Sequence, residues 1–177
     1  CEYGNINEKV EEFILSYDKD KYDKMFITDL SVNENVASII NDTYADKAIL
    51  LDHHKTALSL NKYNWATVRV EDEADEELTS GTYMVYRWLD NFDEEFAFTR
   101  DEEDFAEKVR RYDTWLWKTK YDDLSAKSLN DLFKVYGRKS FIDKMVFKLK
   151  SNQNLFDSLD EKILEVEQER IKKYLEQ

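Results

Sequence analysis

The two histidines of this chain stand side by side, His53 and His54, directly behind Asp52. They close a short apolar run, Lys47-Ala48-Ile49-Leu50-Leu51, and a second such run, Lys24-Met25-Phe26-Ile27-Thr28, closes on Asp29. Carboxylate and imidazole together form a donor set for divalent transition ions. Ions held this way neutralise phosphoryl oxygens and lower the pKa of a bound water, which is the chemistry of metal-assisted hydrolysis. A local reading stands beside it, in which Asp52 caps a following helix and the histidines hydrogen-bond to nearby groups. Polar groups at a buried strand end need partners either way. The arrival of a further carboxylate, Asp29, at the end of a similar run favours the metal.

The elements that must position these groups can be read from the pattern of apolar residues. Asn7 opens a helix as its cap, with Val10, Phe13 and Ile14 at helical spacing. The run 24–29 reads as a buried strand, 33–41 as a helix through Val36, Ile39 and Ile40, and 47–51 as a second strand. Ala66-Thr67-Val68-Arg69-Val70 is a third strand, and Thr79 caps a helix through Tyr83, Val85, Tyr86 and Leu89. From Asp101 onward the pattern is helical, and a last amphipathic helix starts at Ser158 or Asp160. Strands alternating with helices imply right-handed crossovers and a parallel sheet, whose ligands gather at the carboxyl ends of the strands. The expected fold is α/β, a parallel sheet flanked by helices, with a C-terminal helical lobe. Asp29 and Asp52-His53-His54 then share one sheet edge.

Composition narrows the function. No proline and three glycines work against an all-β sandwich, and the many aromatic residues supply a core despite the high charge. A formal net charge of −13 argues against a sequence-blind grip on long duplex DNA, though not against a small anion held by cations. The stretch Lys118 to Lys150 is net basic and reads first as a solvated helix face. The single cysteine, Cys1, rules out an internal disulfide, and no apolar run is long enough to span a membrane, so a cytoplasmic protein is expected.

Asp52-His53-His54 after an apolar strand, with Asp29 ending the strand before it, resembles the DHH phosphoesterase superfamily, which includes RecJ-type exonucleases, nanoRNA phosphatases and manganese pyrophosphatases. Thr79-Ser80-Gly81-Thr82 is similar to the small-residue start of the helix that follows in that family. Tyr112-Asp113-Thr114-Trp115 is similar to its later aspartate motif, in the form of the oligoribonuclease (nanoRNase) branch. The resemblance implies a metal-dependent phosphodiesterase or phosphatase acting on short oligonucleotides through two ions, Mn²⁺ with Mg²⁺ or Co²⁺ as alternatives. It implies that Asp29 bridges the ions and that His53 and Asp113 ligate one of them. His54 would contact the substrate phosphate and assist the leaving oxygen, and Asp52 would orient the histidines. Lys55, beside the double histidine, is a candidate phosphate contact by position.

The sequence also departs from that family. No His-or-Asn-Asp-x-Asp-Gly motif is read before Asp29, and no second domain is read in the sequence after the last helix. With a start at Cys1, the chain is expected to be a piece of a longer protein: a phosphoesterase domain over 1–157, then a connector helix over 158–177. The alternative function is a non-catalytic module that binds nucleotides or a partner through a degenerate metal site. Trp88 is expected in the core, Trp115 is a candidate for stacking on a base, and Lys118 and Lys120 are expected on a solvated face. The last helix carries Ile163, Val166 and Ile171 as an apolar stripe, to be covered by this domain, by a second domain or by another copy in a homodimer.

Overall fold

A computed structural model describes residues 4–16, 21–74, 76–92 and 97–176, so Cys1 lies outside the described residues. The chain divides into two compact units, residues 1–94 and 95–177.

The first unit is built on three parallel strands, β1 (Met25–Thr28), β2 (Ala48–Asp52) and β3 (Ala66–Val68), in the order β1-β2-β3. The register sets Thr28 beside Leu51 and Asp52 beside Val68, so the carboxyl ends of the strands lie at one edge. All five residues of β2 are buried, as expected of a central strand covered on both faces. Alternate residues divide between the faces. Ala48 and Leu50 join Met25 and Ile27 in the larger core with α1 (Ile6–Ser16) and α2 (Glu34–Thr43), through Val10, Ile14, Val36 and Ile40. Ile49 and Leu51 pack on the other face against Met84, Val85 and Trp88 of α3 (Gly81–Phe92). A 3-10 helix over Lys55–Lys62 follows β2. Its Asn61 side chain donates to Val68 O (2.8 Å) and accepts from Val68 N (2.6 Å), satisfying backbone groups on the outer edge of β3.

Two caps differ from expectation. Asn7 is inside α1 rather than at its cap, and its Oδ1 accepts from Asn33 N (2.7 Å), tying α1 to the start of α2. Ser80, not Thr79, serves the start of α3: its Oγ accepts from Tyr83 N (3.3 Å), whereas Thr79 is buried with its N–H bonded to Val70 O. At α3 the neighbouring Ser80 offered the same chemistry as Thr79, and packing selected between them.

The second unit is helical: α4 (Arg100–Asp113), α5 (Leu116–Thr119), α6 (Leu124–Tyr136), α7 (Arg138–Lys150) and α8 (Ser158–Leu175). Thr99 and Glu102 form a capping box at α4, and Asp157 and Asp160 form one at α8. Leu129, Leu132, Phe141 and Met145 make the core, with Phe105, Val109, Ile163 and Leu164 packed against it. Only the first half of the α8 stripe is covered here, since Val166, Tyr174 and Leu175 are exposed. Asp160 is fully buried and meets Lys144 Nζ (2.6 Å), Lys148 Nζ (2.7 Å) and Tyr136 Oη (2.6 Å). Burial alone would raise its carboxyl pKa, but the two ammonium groups and the phenol hold it below the ordinary value.

Candidate metal centre

Asp29 is the first residue beyond β1, and its N–H still bonds to Leu51 O (3.0 Å), which fixes it at the sheet edge. There the backbone turns into the left-handed region, φ 59°, a conformation that aspartate tolerates better than most side chains. The turn points the carboxylate toward the end of β2. Gly81, at the head of α3, stands so close that a Cβ on it would lie 2.5 Å from Asp29 Cβ, 2.7 Å from its Oδ1 and 2.8 Å from its Cα.

His53 and His54 leave β2 together, their rings 4.4 Å apart and tilted by 55°. His53 Nε2 lies 3.2 Å from Asp29 Oδ1. One donor atom from each of Asp29, His53 and His54 falls within 4.8 Å of the others. The Asp29 carboxylate is half-exposed, so solvent ions reach the cluster.

Asp52 stands behind the histidines and is only 1% exposed. Its Oδ1 accepts from His53 N (2.8 Å) and His54 N (3.3 Å) and lies 2.6 Å from His54 Nδ1; Ser31 Oγ donates to its Oδ2. Burial pushes the carboxyl up, but the hydrogen bonds from Ser31 and His54 outweigh that and leave its pKa below 3.8. An ionised Asp52 assigns the Nδ1 proton of His54 to this bond, so in the neutral imidazole Nε2 is the unprotonated nitrogen. Ser31 was not singled out in the sequence. The available signal was a hydroxyl two residues beyond Asp29, inside the same strand-end loop.

The donor set fits a divalent ion. Two ligands held in neighbouring positions around a cation with bonds of about 2.1 Å stand about 3 Å apart, and His53 Nε2 and Asp29 Oδ1 stand 3.2 Å apart. A carboxylate and an imidazole are also a mixed oxygen and nitrogen set suited to Mn²⁺.

The remaining candidates are placed as follows. Lys55 is exposed at the first position of the 3-10 helix. Asp113 is the exposed last residue of α4 in the second unit. Two residues on, Trp115 is 60% exposed with φ 63°, stacked on Trp117 at 6.0 Å, and Trp117 is stacked on Tyr112 at 6.2 Å. Trp88 packs on the sheet core as expected, stacked on Phe92 and edge-on to Phe26.

Against known proteins, the chain is 39% identical over 177 residues to oligoribonuclease NrnB of Bacillus subtilis (strain 168). The match takes in 97% of this chain and 43% of that protein, so the chain spans less than half the length of the curated relative it matches. No family model matches the chain, and no solved structure matches it.

Proposed function

We propose that this chain is the ligand-bearing part of a DHH-type, metal-dependent phosphoesterase that hydrolyses short oligoribonucleotides. The observation that carries the reading is the convergence of Asp29, His53 and His54 at the carboxyl edge of a parallel sheet, with Asp29 and His53 already at the spacing of two ligands on one ion. The likeness to oligoribonuclease NrnB supports the substrate class. No helix among the described residues is long and apolar enough to cross a membrane.

Asp29 and His53 would hold the ion; Asp113 is a further candidate ligand by the family resemblance alone. The bound metal supplies charge neutralisation of the phosphodiester and an activated water. Asp52 fixes the ring plane and the tautomer of His54, as carboxylates behind site histidines commonly do. In its imidazolium form His54 would also carry a proton on Nε2, hydrogen-bond the phosphate through it and pass that proton to the departing oxygen, returning to the neutral Nδ1–H tautomer that Asp52 holds. Ser31 holds Asp52 in its ionised form, because removing its hydroxyl would remove one of the bonds that offset burial.

The test is hydrolysis of end-labelled RNA, from dinucleotide to pentanucleotide, with Mn²⁺, by the chain within its full-length parent. Asp29→Ala and His53→Ala are each expected to abolish turnover at saturating metal. Near wild-type turnover in either variant would overturn the ligand assignment. Mn²⁺ binding with no hydrolysis of any RNA in the ladder would favour a nucleotide-binding module instead.

A further inference from the structure

We infer that Gly81 is a positioning residue for Asp29: its missing side chain is what lets the first turn of α3 seat the carboxylate in its ligand conformation. The inference rests on reading Asp29 as a metal ligand, and extends that reading to a residue on a different element.

Neither partner in this contact can yield easily. Asp29 is held by its N–H bond to Leu51 O and by a left-handed backbone, φ 59°. The start of α3 is held by Ser80, which is buried and whose carbonyl accepts from Met84 N (2.9 Å). Met84 is itself 1% exposed against Ile49 and Leu51. A Cβ on Gly81 would meet Asp29 at 2.5–2.8 Å, and one of the three atoms met is the Asp29 backbone Cα. Rotation of the carboxylate therefore does not relieve the overlap. Either α3 withdraws from the sheet or Asp29 leaves its turn, and the second outcome breaks the 3.2 Å relation with His53 Nε2. Seating α3 here also places the positive end of a helix beside Asp29.

Gly81→Ala is a mild change elsewhere in a helix, where alanine is the better helix former. Gly4→Ala is the control, because a Cβ at Gly4 meets nothing within 4 Å. Mn²⁺ affinity, read by electron paramagnetic resonance of the free ion, is expected to fall about tenfold or more in Gly81→Ala, the range seen when a ligand's support is removed. Gly4→Ala should leave it unchanged. In an Asp29→Asn background the added Gly81→Ala should weaken Mn²⁺ no further. Unchanged affinity in Gly81→Ala, while Asp29→Asn abolishes binding, would overturn the positioning role and leave the metal site standing. Unchanged affinity in Asp29→Asn would instead remove the premise.

Melting without metal gives a second readout. The drop in Tm caused by Gly81→Ala should be smaller in an Asp29→Gly background, where the Cβ and carboxylate are gone and glycine accepts the left-handed turn. If Gly81→Ala alone does not fold, recovery of folding in the double variant is the same coupling. Equal drops, or a double variant that also fails to fold, would overturn it.

Discussion

Asp52 is an ionised group in a place where water hardly reaches, and its charge persists because Ser31, His54 and two backbone N–H groups surround it. Asp52→Asn keeps the shape and removes the charge. In the proposed enzyme it should lower kcat by orders of magnitude with a small change in KM, since His54 loses the partner that sets its tautomer. The same group has a pH signature. Its folded pKa lies below the ordinary 3.8, so its contribution to stability is complete above that value and is lost as pH falls through the depressed one. Thermal melts from pH 6 down to about pH 3 should therefore show a shallower acid loss in Asp52→Asn than in the parent. Asp29, Asp52, His53 and His54 were legible in the sequence, because polar groups that end apolar runs have few structural uses. Ser31 and Gly81 were not. A serine in a loop and a glycine at a helix start are common, and their meaning here lies in which atoms the fold brings to them.

At the scale of elements, the strands were legible to within a residue or two because β2 is buried on both faces and reads as an unbroken apolar run. The helix starts were less so, since a choice between Ser80 and Thr79 is made by packing rather than by type. The buried cluster around Asp160 could not be read at all. Its lysines, Lys144 and Lys148, lie on α7 at a spacing that suits a solvated face equally well, yet Lys148 is 3% exposed. Asp160→Ala removes the buried carboxylate that both lysines share and leaves Asp157, 3.0 Å from each, as their remaining carboxylate, so it should cost about 3 kcal/mol, read from thermal or urea unfolding. Thr99→Ala, which removes the cap of α4 at an exposed position, should cost about 1 kcal/mol by the same measurement.

At the scale of the whole molecule, two compact units carry separate cores, one around a sheet and one among helices. Residues 95–177 expressed alone are expected to give a helical circular dichroism spectrum and a cooperative melt; a non-cooperative, largely unordered fragment would show that this core does not suffice. The α/β class and the helical lobe were legible from the change in apolar spacing, whereas packing places the break between compact units at residues 94 and 95, in a stretch whose acidic sequence gave no boundary signal. One contact in the first unit has a bearing on time as well as on shape. The Ser31–Asp52 hydrogen bond joins residues 21 apart, across α2 and β2 alone. Closing so short a loop loses little chain entropy, so the edge that carries Asp29 and the histidines belongs among the early, local events of folding. A nascent chain can assemble this edge as soon as β2 has emerged, well before the helices of the second unit have been synthesised.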